Sequence, residues 1–172
     1  MESNVSQSVA RRLLPHFVVG DRPISSAIYG TISVVAVIVV GAHGPTSVGH
    51  VLVFASVSMV VIWGIHVYAA VLAEAGTSGL HWRVALSKGL HDELGVLEGA
   101  AAPLFLLLLG SVGVLDDDRA IWYSVWCGVL LLALLPLVWL RRLGSRWPQC
   151  VAAALTSGCF GLLLVILKVV VH

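Results

Sequence analysis

Apolar residues dominate this chain in five long stretches, and glycine, proline or charge breaks each one from the next. The stretches are Ile24–Ala42, Val51–Ala73, Leu94–Leu115, Ala120–Leu140 and Val151–Val171. A helix needs about 20 mostly apolar residues to cross the hydrocarbon layer. Each stretch meets that length, so the pattern predicts an all-α bundle of five transmembrane helices. The separators are 41–45, 75–90, 116–119 and 141–149. The second is the longest, and Leu80–Lys88 within it reads as a short interfacial helix. Trp82 and Trp147 suit an aromatic belt at the membrane surface.

The pattern divides the chain into 1–23, an N-terminal segment, and 24–172, the membrane domain. Met1 to Ser8 is polar, and Arg11-Arg12 precede only a short apolar run, so the N-terminus does not read as a cleavable signal. Val9 to Val19 reads either as an amphipathic segment on the membrane surface or as a disordered tail.

Composition agrees with the pattern. Of 172 residues, 59% are hydrophobic and 11% charged, and mean hydropathy is +0.99. A soluble domain of this size could not hide that much apolar surface. A formal net charge of +1 gives no reason to expect nucleic acid as a partner. Cys127, Cys150 and Cys159 have no paired spacing, which argues against a disulfide framework or a cysteine metal site.

Charge also predicts orientation. With the N-terminus in the cytoplasm, one side holds Arg11, Arg12, Arg22, Arg83, Lys88, Arg141, Arg142 and Arg146, and the other only Arg119 and Lys168. Positive residues concentrate on the cytoplasmic side of membrane proteins. The expected arrangement is therefore N-in, C-out, in the cell membrane. It brings Tyr29, His66, Tyr68, Glu74, His91, Asp92, Glu93 and Glu98 to the cytoplasmic leaflet.

Ionisable groups in a span are costly and tend to mark a working site. His66 and Glu74 are eight residues apart and share a helix face. They read as a proton-handling histidine with a carboxylate at its mouth, or as a packing histidine bonded to a neighbouring helix. Glu98 is the sharpest candidate. A carboxyl group there must be paired, protonated or facing a cavity. His91, seven residues earlier, would project from nearly the same face. Pro103 lacks an N–H and frees the Gly99 carbonyl for a kink or a polar partner. A buried Glu–His or Glu–Arg pair holding helices together is the competing reading. Glu93 and Tyr68, whose phenol can donate or accept a hydrogen bond, complete the candidate catalytic set, and Tyr29, Trp63 and Phe105 supply rings for a substrate. For Tyr29 and Tyr68, interfacial anchoring is the alternative.

Asp116-Asp117-Asp118 suggests a magnesium or diphosphate motif but lacks the required spacing. It reads as an N-terminal cap for the fourth span. No Glu-x-x-His or His-x-x-x-His pair occurs, so neither metal nor any other cofactor is expected. Lys168 is expected to snorkel.

Ala27-Ile28-Tyr29-Gly30, Trp63-x-x-His66-Val67-Tyr68, Glu98-Gly-Ala-Ala-Ala-Pro103 and the end from Leu167-Lys168-Val169 to His172 resemble a family of small actinobacterial integral membrane proteins. The resemblance covers nearly the whole chain from Arg22. Some relatives look like the membrane-bound terpene cyclases of bacterial meroterpenoid biosynthesis, of the drimentine and indolosesquiterpenoid type. The family pattern has a tighter second-to-third connection and more acidic residues before the match to Glu98. The resemblance implies an isomerase that cyclises a farnesyl-type chain by carboxyl-initiated protonation. Glu98 would be the acid, His66 its partner or the terminal base, and aromatic rings the cation stabilisers. The partners would be the bilayer and an apolar prenylated substrate.

The same residues also fit a proton-coupled transporter or channel, or a non-enzymatic subunit packed against copies of itself or a partner through its glycines. A cyclase predicts an apolar cavity with Glu98 on its wall, a transporter a polar path to both faces, and a subunit a paired Glu98 with no cavity.

Overall fold

The computed structural model describes residues 22–43, 47–78 and 82–171, with side chains over 24–43, 47–76 and 82–166. The Val9–Val19 segment, the Lys168 side chain and His172 lie outside that description. Six helices follow in order: α1 Arg22–Gly41, α2 Val48–Ser78, α3 Trp82–Asp92, α4 Leu94–Ser111, α5 Asp117–Arg142 and α6 Trp147–Val171. No strand occurs among the described residues. Five helical segments are long and apolar enough to cross a membrane, α3 and α4 counting together as one. The chain is an all-α protein with the character of a membrane-embedded bundle.

The helix ends follow local chemistry. α4 stops at Ser111, short of the expected Leu115, because Gly113 adopts φ +80°. Its N–H donates to Gly110 O, and the N–H of Val114 donates to Leu109 O. Gly144, at φ +75°, ends α5 with the same pair of bonds. Left-handed glycine lets the chain turn back onto the last helical carbonyls without a Cβ clash. α2 is longer than expected, 31 residues, or about 46 Å at the helical rise. That exceeds the ~30 Å hydrocarbon thickness. The excess at its C-terminal end meets α3, whose Lys88 Nζ lies 2.8 Å from Glu74 Oε1. The short helix expected over Leu80–Lys88 is described from Trp82 and runs on to Asp92.

α1 runs through the middle of the bundle and contacts α2, α4, α5 and α6. Val34, Val35 and Ile38 of α1 pack with Val51, Ala55 and Met59 of α2, Val96, Ala100 and Leu107 of α4, and Val125 of α5. In lipid such contact is driven by close packing rather than by expulsion of water. The α1–α4 crossing is the tightest. A Cβ on Gly30 would strike Val96 O, and one on Gly99 would strike Ala27 O. Only glycine permits this approach. Pro103 leaves Gly99 O without its helical donor, and Thr31 Oγ1, buried in α1, lies 3.1 Å from it and 2.9 Å from Ala27 O. The freed carbonyl thus finds a polar partner on the neighbouring helix. Ser124 Oγ donates to Pro103 O at 2.6 Å and ties α5 to the same segment.

Candidate functional site

The close α1–α4 crossing fixes how the first turns of both helices meet. Ser25, Ser26 and Tyr29 lie on α1, His66 lies on α2, and Glu93 sits at the break between α3 and α4. These five residues line a recess of 280 Å³. Helix direction alternates through the short connections, so the start of α1, the end of α2 and the start of α4 share one end of the bundle.

Glu93 organises the recess. It is the N-cap residue of α4, with φ −94° and ψ 3°, and its side chain makes no capping bond. This is the sparsely populated bridge region, where active-site residues often occur. Its N–H donates to Gly89 O and its carbonyl accepts from Val96 N–H. The backbone at the break is therefore satisfied while the carboxylate is free to turn inward. Ser26 Oγ donates to Glu93 Oε2 at 2.8 Å. His66 Nδ1 lies 3.4 Å from the same oxygen. That separation is long for a hydrogen bond but close enough for charge pairing when the imidazole is protonated. The side chains of Glu93 and His66 are 13% and 30% exposed, so the pair is shielded yet reachable. The Tyr29 ring lies against the His66 ring, centroids 4.4 Å apart and planes tilted by 43°.

Three of the candidates, Tyr29, His66 and Glu93, converge here; the other six stand elsewhere. Glu98 is exposed and does not line the recess. Five residues on a helix turn through about 140° beyond a full turn, so Glu98 and Glu93 leave α4 in different directions. His91 is also exposed. The break at Glu93 places it on α3, which removes the continuous seven-residue register with Glu98. Glu74 pairs with Lys88 and fastens α3 to α2. Tyr68 is exposed, two residues past His66 and so on another face of α2. Trp63 packs against the core with its Nε1 buried and without an acceptor. Phe105 lines a separate apolar groove.

Ser25 and Ser26 are the recess residues absent from the candidate set. Their only sequence signal is a shared α1 face with Tyr29, and the partner of Ser26 is 67 residues away.

The acidic run at the opposite end performs structural work. Asp117 Oδ2 accepts from Val48 N–H at 3.1 Å and so caps α2, not its own helix. Asp116 is the N-cap residue of α5 but makes no side-chain cap, and it pairs with Arg119 at 3.1 Å instead. Among the described residues, no group of three or more His, Cys, Asp or Glu could hold a metal ion.

No protein-family model, curated protein or solved structure matches this chain.

Proposed function

We propose that the protein is a membrane-bound acid–base enzyme that cyclises a prenyl chain by protonation, with Glu93 rather than Glu98 as the acid. The carrying observation is the Ser26–Glu93–His66 arrangement at the wall of a recess, with the Glu93 side chain largely covered. The resemblance of the Tyr29, Trp63–Tyr68 and Glu98–Pro103 motifs supports the substrate class. The charge distribution supports a cytoplasmic-leaflet site in the cell membrane.

Each part has a role. Ser26 holds Glu93 Oε2, which leaves Oε1 to carry and present the proton. The proton passes to a terminal alkene or epoxide of the substrate. An alkene uses its π electrons to form the new C–H bond; an epoxide opens at a C–O bond. The resulting carbocation is captured by the next double bond, and the last cation loses its proton to His66. Transfer from His66 to Glu93 restores both groups, so the reaction is an isomerisation with no net proton uptake. The Tyr29 ring supplies a π-face for passing positive charge. Positioned acid–base groups of this kind contribute roughly 10²- to 10⁴-fold in rate. At 280 Å³ the recess falls just below the usual ligand-site range of about 300–1,000 Å³. It suits the reacting end of a chain whose remainder lies in the bilayer.

A transmembrane proton path finds less support. Beyond the recess, Val34, Val35, Ile38, Val51, Ala55, Met59 and Leu107 form a buried apolar layer. The test is product formation from farnesylated acceptors by membranes carrying the protein, compared with Glu93→Gln and His66→Ala. Loss of product by about 100-fold or more in Glu93→Gln is expected. Turnover in Glu93→Gln equal to the unaltered protein, or no product from any prenylated acceptor, overturns the proposal.

A further inference from the structure

The turn between α5 and α6 concentrates positive charge that the fold does not use. Arg141 and Arg142 end α5, Gly144 reverses the backbone at φ +75°, and Arg146 precedes α6. All three arginines are exposed. The sequence from Trp139 to Cys150 contains no acidic residue. Among the described residues, none of the three pairs with a carboxylate. Lys88 and Arg119, by contrast, are each held by one, Glu74 and Asp116.

Two further features say what these cations meet. α5 has 26 residues, or about 39 Å at the helical rise, against a hydrocarbon layer of ~30 Å. Its last turn, with Arg141 and Arg142, therefore reaches the level of lipid headgroups. Leu143 and Trp147 are exposed beside the arginines, and tryptophan favours that depth. The Arg141 guanidinium lies 4.9 Å from the centroid of the Trp147 ring, within cation–π range. Stacking holds the guanidinium plane and leaves its N–H edges free for an anion. Arginine matches phosphate oxygens with paired N–H donors.

We infer that the α5–α6 turn binds an anionic phospholipid of the phosphatidylglycerol type. Its phosphodiester oxygens accept from Arg141, Arg142 and Arg146, and Leu143 and Trp147 lie against the upper part of its acyl region. A choline lipid presents the same phosphate, but its own ammonium offsets the pull of three guanidinium groups. The two lipids therefore separate by net charge. A soluble polyanion would satisfy the arginines and leave Leu143 and Trp147 without a partner. None of these residues lines the Glu93 recess, so the site stands without the acid–base reading.

The full chain in neutral detergent is given equal amounts of phosphatidylglycerol and phosphatidylcholine with identical chains, and bound lipid is counted by native mass spectrometry. Each basic residue near an anionic headgroup contributes roughly fivefold. Phosphatidylglycerol should therefore exceed phosphatidylcholine by about tenfold or more. Arg146→Gln alone lowers the ratio roughly fivefold, and R141Q/R142Q/R146Q brings it to near one. Arg119→Gln, at the opposite end, leaves it unchanged. Circular dichroism checks that every variant stays helical. Equal binding of the two lipids, or an unchanged ratio in both Arg146→Gln and the triple variant, overturns the inference. So does an equal fall in Arg119→Gln, which would mark a general charge effect. Excess glycerophosphoglycerol, the free headgroup, should not displace the lipid, and neither should a polyglutamate peptide. Displacement by the first would assign the turn to a soluble phosphodiester and by the second to an acidic protein; either result overturns the inference. Prenyl-cyclising activity does not enter the readout, so failure here is distinct from failure of the acid–base proposal.

Discussion

The two ends of the bundle both place carboxylates at helix starts, and they use them in opposite ways. At one end Asp117 caps the first turn of α2 and Asp116 pairs with Arg119 on the surface. These groups satisfy helix ends and neighbouring charge. At the other end Glu93 occupies the N-cap position of α4 but makes no capping bond. Its carboxylate instead accepts from Ser26 of α1 and faces His66 of α2. A carboxylate spent on a cap is accounted for by the fold. One turned away from its cap toward a histidine and a recess is a candidate for chemistry.

The comparison can be broken first at the crossing that positions Ser26 and Tyr29. Gly99→Leu forces a side chain into Ala27 O, a backbone atom that cannot rotate away. Overpacking of this kind costs about 3 kcal/mol. The midpoint of unfolding in denaturing detergent should fall steeply, and product formation should fall with it. Thr31→Val is milder. It leaves Gly99 O without the Thr31 hydroxyl, an unsatisfied buried acceptor worth about 1–3 kcal/mol. The same titration should register the loss while the Glu93 contacts persist.

These two positions also show what the sequence could reveal. The spans were legible because twenty apolar residues in lipid have almost no alternative to a helix. The freed Gly99 carbonyl was legible from Pro103 alone, although the identity of its donor, Thr31, was not. Glu93 was visible as a carboxylate near the membrane surface, but Glu98 looked the stronger candidate. Its neighbours are more apolar, and nothing in Leu90-His-Asp-Glu-Leu-Gly95 announces a helix break. That single break separates His91 from Glu98 and turns Glu93 inward. Ser26 was hidden because its role depends on a contact between helices far apart in sequence.

At the opposite end, Asp117→Ala removes the acceptor for Val48 N–H. Loss of a cap costs about 1 kcal/mol. The detergent midpoint should drop modestly while product formation per folded molecule stays level. A fall in turnover beyond the loss of folded protein would erase the distinction between the two ends. The smallest effect is expected at Lys88→Ala, which breaks the half-exposed pair with Glu74. Pairs of this kind are worth under about 1 kcal/mol, so stability should barely move. A large loss of turnover would bring Glu74 back into the site and sharpen the role of α3.

The most direct test sets Glu93→Gln beside Asp117→Asn, each an isosteric removal of one carboxylate charge at a helix start. Product formed from a farnesylated acceptor is measured per folded molecule. The account predicts a loss of about 100-fold or more for Glu93→Gln and no loss for Asp117→Asn, whose amide oxygen still caps α2. Equal turnover in the two variants would contradict it.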